Sequence, residues 1–235
     1  MSELESIDNL SLIKNGLCHI EFELNGVTPS MFRAARESHL VFYRSMIEAL
    51  KGSANLAVTG RPSQDRVHQY RLGNEPRKEI HKVPVPGCRK AWRFSQPVLC
   101  EPPEIDYTAV PEAKRDDYLI SFYDALSMIQ ADRFMRLYFM SRVVPVTDHE
   151  MQLLEWLHED IRNEYEHFVP KAYMAPVSPL IELTILSLRL SRELLFDSKP
   201  VIPSDAYVRL AVMIDSIIDK LTTTKDSCGL PSGSS

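Results

Sequence analysis

Glycine is scarce, with 8 among 235 residues, and none falls in a catalytic pattern. No G-x-G-x-x-G, P-loop or G-x-S-x-G sequence occurs, so dinucleotide-binding, P-loop nucleotide and serine-hydrolase readings lack their backbone material. Cysteine is equally sparse: Cys18, Cys88, Cys100 and Cys228 are scattered, with no Cys-x-x-Cys pair. That argues against a disulfide scaffold or a zinc site and for a reduced, cytoplasmic protein. Long apolar runs are missing as well. The most apolar segment, residues 180–196, is interrupted by Glu182, Arg189, Arg192 and Glu193, which excludes a membrane span. The opening stretch MSELESIDNLSLIKNG is acidic and lacks the basic flank and apolar core of a secretory signal. No internal repeat is visible. A soluble chain without membrane contact is expected.

What is present suits one globular domain over residues 1–235, with 44% hydrophobic and 25% charged residues. The net charge of −5 speaks against indiscriminate coating of nucleic acid. Its distribution is uneven. Residues 61–93 hold nine Lys/Arg against Asp65, Glu75 and Glu79, a local +6, which leaves −11 on the remainder.

Periodicity predicts an all-α bundle of about five helices. Residues 1–16 read as a loose lead-in, CHIEFEL (residues 18–24) as a short strand and Asn25-Gly26 as a turn. A helix is predicted over residues 29–51, where Phe32, Ala35, Leu40, Tyr43, Ile47 and Leu50 recur at helical spacing. Seven prolines then exclude any long helix between residues 53 and 110. This reads as a small basic β-rich insertion, with strands in RVHQYRLG and RKEIHKV around Gly73-Asn74 and another in CRKAWRFSQPVLC. One long helix is expected over residues 111–141, burying Leu119, Phe122, Tyr123, Leu126 and Ile129. Thr147 and Glu150 form a capping-box pattern opening the next helix. Two more follow near residues 179–196 and 204–222, and residues 224–235 are expected to be a disordered tail.

Within the helix that begins at Thr147 lies Arg162-Asn163-x-x-x-His167. Asn163 and His167 are four apart and share a face, and Arg162 can reach the same edge. Those groups suit phosphodiester cleavage without a metal or other cofactor. A guanidinium holds phosphate bidentately, an imidazole moves protons near neutral pH, and an amide orients them. Arg followed at four to six intervening residues by His occurs four times in the chain, but the strict form with Asn after Arg occurs once. The same residues equally fit a solvated helix face, with Arg162 paired to Glu159 or Glu166.

A bundle carrying R-N-E-Y-E-H on an amphipathic helix resembles the HEPN superfamily. The resemblance covers residues 29–51 and 111–223 and rests on Arg162, Asn163 and His167. It implies a metal-independent endoribonuclease of toxin or phage-defence type. The ribose 2′-hydroxyl would attack the adjacent phosphate and leave a 2′,3′-cyclic phosphate. It also implies a homodimer with a composite cleft and a possible antitoxin. HEPN toxins silenced by a nucleotidyltransferase carry a tyrosine two residues after the histidine; Val169 stands there, which puts such control in doubt.

The basic insertion fits as an RNA-binding surface, with Arg66, Arg71, Lys78, Lys82, Arg89, Lys90 and Arg93 around Tyr70, Trp92 and Phe94. The alternative is a hairpin whose aromatics pack on the bundle. Two other readings of the whole chain stay open. One is a non-catalytic RNA- or protein-binding bundle. The other, weaker, is a di-iron carboxylate bundle using Glu155-x-x-His158 and Glu164-x-x-His167, which lie on one helix where such sites need two.

Overall fold

The computed structural model describes residues 8–51, 58, 82–94, 119–135, 141–163, 175–198 and 205–227. Among them the chain is a helical bundle with one two-stranded hairpin. The helices are α1 (Asn9–Asn25), α2 (Met31–Leu50), α3 (Phe122–Met128), α4 (Asp132–Met135), α5 (Asp148–Trp156), α6 (Val177–Arg192) and α7 (Asp205–Ser227). α5 runs into a π-helical turn, Leu157–Arg162, and α6 into a second, Glu193–Asp197.

Residues 8–25 differ from expectation. CHIEFEL is the end of α1, not a strand. Asp8 caps the helix by accepting from the Ser11 backbone N–H, and Ser11 Oγ accepts from the Asp8 N–H in return. Ile13, Leu17 and Ile20 then bury at spacings of four and three, while Phe22, which made the alternation look strand-like, is exposed. Gly16 sits where α1 crosses α2, and a Cβ there would lie 2.7 Å from Val41 Cγ2. Its value is close approach of two helices rather than a break.

α2 is the axis of the bundle. Of its residues only Arg33 is exposed, and the helix packs on α1, α3, α4, α6 and both π-turns. Ala34, Ala35, Ser38 and Ser45 keep the girth small enough for that company, and each serine hydroxyl donates to a carbonyl of its own helix. Asn9 at the start of α1 donates to the Arg44 carbonyl and to Glu48 near the end of α2, which sets the two antiparallel. α6 lies on another side of α2 with Leu180, Ile181, Leu183, Leu188 and Leu190 buried, and α7 covers α6 with Leu210, Ile214, Ile217 and Leu221. α7 continues to Ser227, past the expected stop at 222 and into the expected tail. Thr222, Thr223 and Thr224 return their hydroxyls to carbonyls four residues back.

The single long helix expected over 111–141 is two short ones among the described residues. Ser121 caps α3, Leu119 is exposed and extended, and Ile120 N–H donates to the Val58 carbonyl. After Ile129 the chain turns a corner that the Val144 N–H closes by donating to the Ile129 carbonyl.

The hairpin pairs β1 (Lys82–Pro84) with β2 (Trp92–Phe94), antiparallel, Val83 opposite Arg93. The strands expected around Gly73-Asn74 otherwise lie outside the described residues. Gly87 turns the hairpin at φ +79°, where a Cβ would also collide with Gln152. Docking onto α5 centres on Glu155, which is buried. Its carboxylate accepts the backbone N–H groups of Arg89, Lys90 and Ala91 at 2.6, 2.5 and 3.0 Å. Removing it leaves three donors without their acceptor, at a cost of about 1–3 kcal/mol or more. Glu155→Ala is therefore expected to lower the urea midpoint and to open Arg89 and Lys90 to trypsin, with Glu155→Gln in between. An unchanged midpoint and unchanged digestion would show that the hairpin is held elsewhere.

Candidate functional site

Three elements meet beside the first π-turn. α2 contributes Arg36, His39 and Tyr43, which recur at three and four residues and so share a face. α3 contributes Phe122 and Tyr123. The π-turn contributes His158, Glu159 and Arg162, with Asn163 following as its cap. A π-turn closes i→i+5 hydrogen bonds and admits one more residue per turn than an α-helix, a form found often at functional sites. Leu157 and Ile161 bury fully and anchor it, leaving His158 and Arg162 half-buried on the side toward α2.

At the centre, His39 Nε2 and His158 Nδ1 are 2.9 Å apart and share a hydrogen bond. His39 is 2% exposed. The His158 ring stacks on Phe122, with centroids 4.4 Å apart and planes within 9°, and Tyr123 meets it edge-on at 5.2 Å. His39 also lies 4.8 Å from Phe122. Burial holds the His39 imidazole well below its ordinary pKa, and the neighbouring His158, Arg162 and Arg36 add to the effect. Arg162 acts on Tyr43 as well, opposing the rise that burial gives that phenol. Its charge is thus felt along the shared face of α2.

On the other side of the turn, Tyr123 donates to Glu159 at 2.9 Å, and Lys90 of the hairpin reaches the second Glu159 oxygen at 2.6 Å. Burial, then the Glu159 contact, pushes the Tyr123 phenol far up.

Of the residues predicted from sequence, Arg162 and Asn163 are adjacent at the end of the π-turn, with Arg162 Nη1 donating to Asn163 Oδ1 at 2.9 Å. His167 lies outside the described residues, as do Arg66, Arg71 and Lys78. The other insertion residues are all engaged with the bundle. Lys82 pairs with Asp124 and lies 3.8 Å over the Trp92 ring, Arg89 pairs with Asp160 and Lys90 with Glu159. Arg93 binds Asp148, the Val146 carbonyl and Gln130. Phe94 packs on Phe134. The hairpin therefore rests on the same π-turn that carries Arg162. Its ion pairs are surface pairs, worth about 0–1 kcal/mol each, and exchangeable.

Sequence reading missed His39 as a site residue and met His158 only as half of a Glu-x-x-His pair. No local pattern signals a bond between residues 119 positions apart. The metal-ligand reading of that pair meets two occupied groups, since Glu155 accepts from three backbone N–H groups and His158 Nδ1 bonds His39. Among the described residues no group of three or more His, Cys, Asp or Glu could hold a metal ion. No helix there is long and apolar enough to cross a membrane. Compared with protein-family models, curated proteins and solved structures, the chain matches none.

The buried His39 makes stability depend on pH. In the unfolded chain His39 takes a proton near its ordinary pKa of 6.5, whereas in the folded chain it does so only well below that value. Acid thus favours the unfolded state: this contribution is complete above about pH 6.5 and lost as pH falls toward the folded value. The urea midpoint of the wild type is expected to drop between about pH 7.5 and about pH 5.5, before most carboxylates titrate. His39→Gln, which keeps a donor toward His158 but cannot titrate, is expected to flatten that drop. Equal slopes in both proteins would place the proton uptake elsewhere.

Proposed function

We propose that the chain is a HEPN-type, metal-independent endoribonuclease. One observation supports this above the others: the single R-N-x-x-x-H sequence begins at the end of a π-turn, where Arg162 and Asn163 are bonded to each other beside a hydrogen-bonded histidine pair. In this reading Arg162 holds the scissile phosphate and stabilises the charge that develops on it. His167 moves the protons, taking one from the ribose 2′-hydroxyl or delivering one to the departing 5′-oxygen. Asn163, which already bonds Arg162, orients the guanidinium and the sugar hydroxyl. The 2′-oxygen attacks phosphorus, the bond to the 5′-oxygen breaks, and a 2′,3′-cyclic phosphate remains.

The resemblance further suggests a C2 homodimer that joins two such sets in one cleft and an antitoxin that restrains cleavage, while the scattered cysteines suit a cytoplasmic location. The hairpin supports an RNA partner more weakly. Lys82, Arg89 and Lys90 are mostly exposed and hold their carboxylates through exchangeable surface pairs, so phosphates can compete for them. Those same pairs favour a second reading, a bundle that binds RNA or protein without cutting.

End-labelled single-stranded and structured RNAs, incubated in EDTA with wild type, Arg162→Ala or His167→Ala, separate the two. Cleavage by wild type to cyclic-phosphate ends, reduced about 10²-fold or more in each variant, is expected. RNA retained but uncut by all three proteins would leave the binding bundle. Cleavage undiminished by His167→Ala would remove the proton-transfer role.

A further inference from the structure

The acids of the π-turn face the cations of the hairpin as a matched set. Lys90 meets Glu159 at 2.6 Å, and Arg89 meets Asp160 at 3.2 Å, so neighbours on the hairpin pair with neighbours on the turn. The two sides are not equivalent. The Lys90 and Arg89 side chains are 61% and 65% exposed, whereas Glu159 is 13% and Asp160 38% exposed. Glu159 also keeps a second partner, accepting from the Tyr123 hydroxyl at 2.9 Å. Burial opposes its charge, but the bonds from Lys90 and Tyr123 outweigh that and hold its carboxyl below the ordinary value. In each pair the acid is the enclosed half and the cation the outer half.

Ion pairs that hold two elements together cannot be exchanged without loosening them. Here the turn has its own anchor. Glu155 accepts from the backbone N–H groups of Arg89, Lys90 and Ala91, and the Gln152 amide donates to the Pro86 carbonyl. Neither contact uses the Arg89 or Lys90 side chain. Both cations can therefore leave their carboxylates while the turn stays seated, and pairs this exposed are weak and screened. We propose that Glu159 and Asp160 are a built-in counterion set that occupies Lys90 and Arg89 until phosphates of RNA displace it. The turn then binds a strand by exchanging ion pairs rather than by adding them, and the two acids set how tightly. The exchange would hold the strand against the turn that ends in Arg162. The identity of the polyanion rests on the ribonuclease reading; the exchange does not.

Binding of a short single-stranded RNA to the full chain tests the exchange, with His167→Ala throughout so that nothing is cut. Glu159→Gln keeps an oxygen for Tyr123, and Asp160→Asn keeps the size of the side chain, so both remove little besides charge. Each is expected to tighten RNA binding about two- to fivefold, the scale of an exposed pair. Lys90→Gln and Arg89→Gln are expected to weaken it. Asp219→Asn, at an exposed position of α7, removes the same charge from a helix that packs on α1 and α6, and is expected to change affinity less.

Coupling separates exchange from a change in net charge. With Lys90→Gln in place, Glu159→Gln is expected to do no more than Asp219→Asn, because no cation is left for it to release. Equal effects of Glu159→Gln in both backgrounds, or equal effects of all three acid replacements, would overturn the proposal. Polyglutamate that binds in place of RNA would overturn it too and assign the surface to an acidic protein. RNA bound with the expected coupling, yet left uncut by wild type, would remove the ribonuclease reading and keep the exchange. Cleavage as expected but without the coupling would do the reverse.

Discussion

α2 has almost no side that faces water, and most of the molecule follows from that. A helix buried nearly all round must be thin, must place its polar groups where partners exist, and must be surrounded by other elements. Ala34, Ala35, Ser38 and Ser45 answer the first requirement. The serines satisfy themselves on their own helix. Glu48 is met by Asn9 and Lys51, which fixes the start of α1 against the end of α2. His39 is the remaining buried polar residue, and its ring reaches neither its own backbone nor water. It needs a partner brought from elsewhere in the chain.

That partner arrives through the π-turn. The widened turn between Leu157 and Arg162 lets Leu157 and Ile161 stay in the core while His158 and Arg162 stand toward α2. A buried imidazole, two guanidiniums and a stacked second imidazole then lie together, and the neighbouring charges add to burial in lowering the His39 pKa. The carboxylates of the turn, Glu159 and Asp160, face the hairpin instead and are matched there by Lys90 and Arg89. The turn thus sorts charge, basic toward α2 and acidic toward the insertion. This polarity underlies both the proposed phosphate site and the docking of the hairpin.

The helical class, the helix over 29–51, the Thr147–Glu150 cap and the last two helices were legible because their signals are local: spacing, caps and breakers. α1 was not, because its opening cap pairs Asp8 with Ser11 rather than with a glutamate, and because exposed Phe22 falls in step with an alternating pattern. The break at Ile129 and Gln130 carries no proline or glycine and is imposed by contacts with Val144. At the site, Arg162 and Asn163 could be found because they are neighbours in sequence. His39 and His158 could not, since the pairing is tertiary and each alone resembles an ordinary histidine on a helix. The π-turn left no trace either: Leu154, Leu157 and Ile161 fit an α-helical stripe equally well.

Glu155 grips the hairpin by its main chain. Three N–H groups enter the carboxylate, and none of the side chains at 89, 90 or 91 is needed to form those bonds. Anchoring and surface chemistry are therefore uncoupled at this turn. Across descendants of this chain, selection can rewrite the residues that Arg89 and Lys90 present to the outside while the turn keeps its seat, so long as position 155 remains an acid. The insertion is in this respect an interchangeable fitting on an acidic socket, free to change what it meets while the bundle beneath it stays as it is.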